Sequence, residues 1–203
     1  MALKSHWETI YREKDSTQVS WYKPHLQISL QMIERTGVSK LARIIDVGGG
    51  SATLVDDLLA NGYGDVTVLD ISGAAIQVAR KRLGALADNV TWLEADITQA
   101  TLPHNHYDVW HDRAVFHFLT DVGDRQKYVN LVKRSVKAGG HVIVATFAPD
   151  GPEKCSGLNV RRYDADSLHG EFGDDFQLIE SVREDHQTPF GTQQKFIYCY
   201  CRK

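Results

Sequence analysis

The chain of 203 residues has few cysteines and does not have the paired spacing of a zinc or disulfide framework. Its three cysteines are an odd number, and only Tyr200 separates Cys199 from Cys201. On a strand, that spacing places both thiols on the same face. We therefore expect free thiols in a reducing compartment, with Cys155 alone in a polar loop.

An excess of charge of one sign is also lacking, because the net charge is only -3. No general field draws such a chain to nucleic acid or to an anionic membrane, so we expect neither partner. No run of about 18 apolar residues occurs, and the N-terminus has no apolar core of a signal peptide. We expect a cytoplasmic protein without a metal-ligand cluster.

After about residue 43, short runs rich in β-branched residues alternate with longer runs that have apolar residues at helical spacing. This alternation is typical of βαβ units and predicts an α/β fold with buried parallel strands. The predicted strands are residues 43–47, 66–69, 90–94, 107–110 and 141–147.

Helical spacing predicts four helices, with Ser72 as the N-cap of one and Gly62 as the C-terminal cap of another. These helices are residues 24–36, 52–61, 72–86 and 124–137, the last ended by Gly139 and Gly140. Residues 176–184 and 194–202 are β-rich runs around a turn-forming cluster, which predicts a terminal antiparallel hairpin at the sheet edge. We expect one domain, comprising residues 1–42 as an N-terminal lid, 43–147 as a cofactor-binding core and 148–203 as a substrate-side loop and hairpin.

The strongest motif is a glycine-rich turn between a predicted strand and a predicted helix. Gly48, Gly49 and Gly50 allow a ligand to approach the backbone, and the helix N-terminus beyond favours an anionic group. The glycine-rich fingerprint of dinucleotide-binding proteins would have glycine or alanine where this chain has Thr53, which disfavours a dinucleotide ligand. Asp46, two residues before the first glycine, would repel a pyrophosphate but attract a cationic amino group.

Two further acids end the next predicted strands. Asp70 lies 24 residues after Asp46, at the tip of the second strand, where a carboxylate accepts the hydroxyls of a ribose. Asp96 ends the third strand, where it meets an adenine amino group or simply caps a loop. Together the acids predict a nucleoside-containing ligand.

Over residues 40–147 the chain resembles class I S-adenosylmethionine-dependent methyltransferases. The resemblance rests on the order of five features, which are Asp46 with its glycines, Asp70, Asp96, Tyr107-Asp108 and the segment 137–140. The usual third glycine is Ala52 here. The resemblance implies a Rossmann-like three-layer αβα sandwich with a seven-stranded, mostly parallel sheet. It also implies S-adenosylmethionine as cofactor. Its implied binding residues are Asp46, Gly48, Gly49 and Gly50 for the methionine part, Asp70 with Ile71 for the ribose, and Asp96 with Ile97 for the adenine.

The tip of the fourth strand is where this family contacts the methyl acceptor, and here it contains His111, Asp112 and Arg113. We predict His111 as a proton acceptor that also borders the cofactor, Asp112 as an orienting acid and Arg113 as a substrate contact. The alternative for His111 is packing at the cofactor edge or a structural hydrogen bond.

The N-terminal aromatics Trp7, Tyr11, Trp21 and Tyr22 resemble the lid of family members that methylate small molecules or protein lysines. Aromatic faces also stabilise a nearby sulfonium. The alternative is that they only close the end of the sheet. Arg161, in the long connection after the fifth strand, is a candidate anion contact or a surface ion-pair partner.

We predict a methyltransferase that acts by in-line displacement on a small-molecule or protein side-chain acceptor. Positioning and exclusion of water supply most of such catalysis. The alternatives are an NAD(P)-dependent oxidoreductase on a Rossmann fold, which Asp46 and Thr53 disfavour, and a non-catalytic cofactor-binding or interaction domain.

Overall fold

The computed structural model describes residues 2–203, and its central feature is one seven-stranded sheet. The strands are β1 Arg43–Val47, β2 Asp65–Asp70, β3 Val90–Glu94, β4 Tyr107–Arg113, β5 Val136–Phe147, β6 Lys154–Cys155, β7 Leu158–Asn159, β8 Gln177–Gln187 and β9 Gln193–Arg202. The strand order in the sheet is β3-β2-β1-β4-β5-β9-β8, and β6 pairs with β7 in a short separate ribbon.

Strands β1 to β5 are parallel wherever they pair, and β9 runs antiparallel to both of its neighbours. The order reverses at β1, which lies between β2 and β4. In open α/β sheets, ligands bind outside the carboxyl ends of the strands at such a switch point. The topology therefore directs attention to the residues that follow Val47, Asp70 and Arg113.

Helices cover both faces of the sheet. The helices are α1 Ala2–Glu13, α2 Gln27–Arg35, α3 Leu54–Ala60, α4 Gly73–Leu83, α5 Val122–Ser135 and α6 Ala165–Phe172. Successive β1 residues alternate between the two cores, since Ile44 is buried with α2 and α3, whereas Ile45 is buried with α5 and α6. The result is the predicted three-layer αβα arrangement.

Two predicted helix ends, at Ser72 and Gly62, are confirmed, and each has a local cap. The Ser72 hydroxyl accepts the Ala75 amide at 3.2 Å and begins α4. Gly62 has φ +82° directly after the end of α3, the left-handed conformation expected of a terminal glycine.

The prediction for α5 is wrong at its C-terminal end. The helix ends at Ser135 rather than at Lys137, and Gly139 and Gly140 lie inside β5. The physical reason is that Val136 is fully buried and pairs with Tyr107, while Gly139 takes up a strand irregularity with φ +74°.

The predicted seven-stranded, mostly parallel sheet and the C-terminal hairpin are confirmed. Within residues 2–203, no helix has both the length and the apolar character needed to cross a bilayer.

Candidate active site

A cavity of about 180 Å³ lies at the carboxyl ends of β1, β2 and β4, and α1 closes its outer side. A smaller cavity of about 40 Å³ adjoins it and shares Tyr11, Trp21, Gly48 and Arg113 as walls. Of the residues predicted for binding, the larger cavity is lined by Trp7, Tyr11, Trp21, Gly48, Asp70, Ile71, Asp96, Ile97 and Arg113. The smaller one adds Tyr22, Asp46, Gly49 and His111.

The first glycine of the turn is required by both conformation and space. Gly48 has φ +72°, and its amide donates to the Leu69 carbonyl at 2.6 Å. A Cβ at Gly48 would lie 2.0 Å from Cγ2 of Val115, so no other residue fits without displacing the loop after β4. The bare backbone at Gly48 therefore forms a wall of both cavities.

Asp70 connects the end of β2 to the same turn. Its Oδ2 accepts the Gly50 amide at 3.0 Å, and its Oδ1 accepts the Ser72 amide at 2.8 Å. Burial raises the pKa of the Asp70 carboxyl to about 6, against the lowering effect of these two amides. Each carboxylate oxygen keeps a lone pair, so Asp70 is able to accept further hydroxyl groups from the cavity.

Asp46 and His111 meet beneath the smaller cavity. His111 Nδ1 lies 2.7 Å from Asp46 Oδ1, and His111 Nε2 lies 2.9 Å from the Ser29 hydroxyl. His111 is fully buried and Asp46 is 2% exposed. Asp46 Oδ2 has no hydrogen-bond partner among the residues that the structure describes.

The far end of the larger cavity is formed by the loop after β3. Asp96 Oδ1 accepts the backbone amide of Thr98 at 2.9 Å and its hydroxyl at 2.7 Å. Ile97 is buried and adds an apolar surface. This wall offers one carboxylate beside an apolar side chain, an arrangement that suits a flat base with an exocyclic amino group.

Aromatic rings form the outer wall. Trp7 packs edge-to-face against Trp21 and Phe118, with ring centroids 5.6 Å and 5.2 Å apart. Helix α1 is held in place by Glu8, whose Oε1 accepts the Ala74 amide at 3.3 Å at the start of α4. The aromatic wall is thus attached to the N-terminus of the helix that follows Asp70.

Arg113 ends β4 at the junction of the two cavities. Its Nε donates to the Tyr198 hydroxyl at 3.0 Å, and one terminal nitrogen lies 3.3 Å from Glu184 Oε2. Its guanidinium carbon lies 4.3 Å from the centroid of the Phe196 ring. The half-buried Lys23 pairs with the same Glu184, so this group of three side chains carries one net positive charge.

The comparisons with known proteins agree with this geometry. Residues 44–140 match the family described as methyltransferase domain. The ubiquinone/menaquinone biosynthesis C-methyltransferase UbiE of Azotobacter vinelandii is 31% identical over 120 residues, which are 57% of this chain and 46% of that relative. The match thus spans about half of the relative's length.

Two solved structures share the fold at low sequence identity. One of them carries the description "Conversion of a Disulfide Bond into a Thioacetal Group during Echinomycin Biosynthesis". It has a TM-score of 0.81 and 16% sequence identity, and the match covers 99% of this chain and 92% of that chain. The Burkholderia thailandensis 1,6-didemethyltoxoflavin-N1-methyltransferase, with bound 1,6-didemethyltoxoflavin and S-adenosylhomocysteine, has a TM-score of 0.75 and 16% identity over 99% of this chain and 87% of its own.

Residues 44–140, just under half of the chain, thus resemble a methyltransferase domain, and the fold as a whole is similar to that of a methyltransferase solved with S-adenosylhomocysteine. The family match and the S-adenosylhomocysteine bound by the neighbour indicate S-adenosylmethionine as the cofactor. The residues of this chain fit that molecule, because Asp46 Oδ2, which has no partner within residues 2–203, is a buried acceptor that matches a cationic amino group. An anionic pyrophosphate in the same place would be repelled.

Three predicted site residues lie outside both cavities. Asp112 is fully buried and accepts the Val115 amide at 2.9 Å and the Tyr128 hydroxyl at 2.6 Å. Arg161 is exposed, and its guanidinium lies 3.3 Å from Glu171. Gly50 contacts Asp70 rather than the open space. For Asp112 and Arg161 the geometry favours structural roles over the predicted orienting and anion-binding ones.

His111 is predicted to accept a proton from the methyl acceptor, but both of its ring nitrogens already have hydrogen-bond partners within the protein. Asp112 has the same limitation. Burial raises the pKa of the Asp112 carboxyl to about 6, although the hydrogen bonds from Tyr128 and Val115 lower it. The catalytic assignments of both residues stay predictions, and the geometry favours positioning.

Several residues of the candidate site were not predicted from the sequence. Ala114 has φ +74°, which is rare for a residue other than glycine, and no sequence pattern announces it. Phe118 follows it and completes the aromatic wall. Ser29 had a signal, because it is a polar residue on the apolar face of the predicted helix 24–36.

Cys155, expected to stand alone in a polar loop, has a different environment in the structure. It is buried, lies in the β6–β7 ribbon and lines the larger cavity. Burial raises the pKa of the Cys155 thiol to about 12, so it is neutral and behaves as an apolar wall.

Proposed function

We propose that this chain transfers a methyl group from S-adenosylmethionine to a small-molecule acceptor by in-line displacement. The observation that carries this proposal is one cavity in which Gly48 and Asp70 face the aromatic wall of Trp7 and Trp21. Cofactor-side and acceptor-side residues thus border the same space, as a direct transfer between two bound molecules requires.

In this proposal the cofactor follows the predicted residues along the strand ends. Asp46 and the glycine turn hold its amino-acid part, Asp70 with Ile71 holds the ribose, and Asp96 with Ile97 contacts the adenine. The cofactor supplies a methyl group on a positively charged sulfur, which makes the leaving group good without an added acid.

The protein's own contribution is positioning and exclusion of water. The strand ends fix the carboxylates, and α1 with its aromatic rings closes the outer side of the cavity. An enclosed site of this kind keeps water from competing with the acceptor. The trapped nitrogens of His111 support catalysis by alignment rather than by a general base.

A small, flat and aromatic acceptor suits the aromatic wall best. Edge-to-face and stacked arrangements favour aromatic partners in such a pocket. By their printed names, the neighbour is an N1-methyltransferase of 1,6-didemethyltoxoflavin, and the relative is a C-methyltransferase of ubiquinone/menaquinone biosynthesis. The relative's name adds carbon as a candidate methylated atom for this chain. A protein side chain as acceptor is the outcome that the following experiment would reveal.

The test is transfer of labelled methyl groups from S-adenosylmethionine into an extract. We expect label in the small-molecule fraction with the wild-type protein and a strong reduction with the Asp70→Ala variant. Label in the protein fraction would replace the small-molecule acceptor by a protein one. Label in neither fraction, together with binding of NAD, would overturn the proposal in favour of an oxidoreductase.

A further inference from the structure

Three buried side chains from three different elements form a continuous hydrogen-bonded chain. Ser29 of α2 bonds His111 of β4, and His111 bonds Asp46 of β1, with separations of 2.9 Å and 2.7 Å. Ser29 and His111 are fully buried, and Asp46 is 2% exposed. Because none of the three has appreciable contact with solvent, their hydrogen bonds persist in a setting of low dielectric.

The direction of the bonds follows from the chemistry of the groups. An ionised carboxylate only accepts, so His111 Nδ1 carries the proton that it donates to Asp46 Oδ1. The Ser29 hydroxyl then occupies Nε2 and fixes the ring from its other side. A histidine whose second nitrogen is held in this way orients its partner, as it does behind metal ligands.

The chain leaves one oxygen of Asp46 available. Oδ2 is buried and has no partner within residues 2–203, and a Cβ at Gly49 would lie only 2.3 Å from it. The absence of a side chain at Gly49 therefore keeps the space beside Oδ2 clear. Leaving a buried carboxylate oxygen unpaired is costly, so the arrangement suits a cationic donor brought by a ligand.

We propose that Ser29 and His111 are positioning residues that hold the Asp46 carboxylate so that Oδ2 faces the cationic amino group of the cofactor. This inference rests on the proposed function. It assigns His111 to recognition of the amino-acid part of the cofactor and removes it from proton transfer with the acceptor.

The test compares two ligands by calorimetry: S-adenosylhomocysteine, which has the amino-acid part, and 5′-methylthioadenosine, which lacks it. His111→Leu should weaken S-adenosylhomocysteine by roughly tenfold or more while 5′-methylthioadenosine changes by less than about twofold. Ser29→Ala should show the same selectivity at a smaller size.

A conservative variant supplies the matched control. In His111→Asn the side-chain amide retains a donor near the position of Nδ1, so we expect most of the S-adenosylhomocysteine affinity to return. Thermal unfolding of each variant shows whether it folds, and Ser29→Ala provides the test if His111→Leu does not.

Equal losses for both ligands would overturn the inference, since a merely structural role affects the whole site. Unchanged affinity for S-adenosylhomocysteine in Ser29→Ala and His111→Leu would overturn it as well. Failure of the proposed function looks different, because the wild-type protein would then bind neither ligand.

Discussion

The Asp70 carboxylate at the end of β2 accepts the Gly50 amide from the turn after β1, with 3.0 Å between Oδ2 and the nitrogen. This bond links two neighbouring strand ends at the point where the sheet order reverses. It fixes the glycine turn and the predicted ribose-binding acid relative to each other.

Replacing Asp70 by alanine should weaken S-adenosylhomocysteine binding by more than tenfold. Hydrogen bonds to a charged acceptor contribute about 1.5–3 kcal/mol each, and two ribose hydroxyls would lose theirs. Calorimetric titration measures the change. Asp65→Ala is the matched control, since it removes a half-exposed carboxylate from the opposite end of the same strand. Equal affinities of Asp70→Ala and wild type would exclude Asp70 from the site.

The affinity for S-adenosylhomocysteine should fall in mild acid. Burial, together with the nearby charges of Asp46 and Glu8, raises the pKa of Asp70 to about 6. Because the ribose hydroxyls favour the ionised form, affinity is full above this pKa and is lost as the pH drops through it, by up to about tenfold per pH unit. Titrations at about pH 7.5 and about pH 5 test this. The dependence should be flatter in Asp70→Asn; a wild-type affinity that is equal at both pH values would be inconsistent with ribose recognition by Asp70.

Tyr128→Phe should lower the free energy of unfolding by about 1–3 kcal/mol without changing cofactor affinity. The Tyr128 hydroxyl donates to Asp112 at 2.6 Å and accepts from Trp110 Nε1 at 2.9 Å, so the variant leaves two buried groups short of a partner. Urea unfolding measures the loss. A large loss of cofactor affinity with an unchanged free energy of unfolding would instead indicate that Asp112 and Tyr128 act in the active site.

Arg113→Met should destabilise the protein by about 1–3 kcal/mol, because the buried Glu184 and Tyr198 lose the hydrogen bonds that Arg113 donates, while Lys23 still pairs with Glu184. Arg161→Met is the control for losing an arginine. Its guanidinium is half-exposed and lies outside the cavity, so its effect should stay within about 0.5 kcal/mol. Denaturant unfolding of the two variants compares them directly, and similar losses would show that Arg113 is not held as the structure has it.

Much of the cofactor side was predictable because its determinants are short-range. The apolar run before Asp46, the glycines after it and the acid after Leu69 each identify a strand end, and parallel strand ends meet at one edge of the sheet. The structure accordingly brings Gly48, Asp70 and Asp96 to one cavity.

The remaining features depend on how distant segments pack. Ser29 reaches His111 across 82 residues of sequence, and only the docking of α2 against the sheet decides that contact. The left-handed backbone at Ala114 is imposed by its surroundings and not by its residue type. Arg161 shows the converse, because a charged residue in a long loop resembles a ligand contact until its partner Glu171 is known.

The central claim is that the cavity beside Gly48 and Asp70 binds S-adenosylmethionine, and thermal unfolding with added ligand tests it most directly. A ligand that binds only the folded state raises the midpoint in proportion to the logarithm of its concentration. The account predicts such a rise with S-adenosylhomocysteine and none with NAD. A rise with NAD and none with S-adenosylhomocysteine would contradict it.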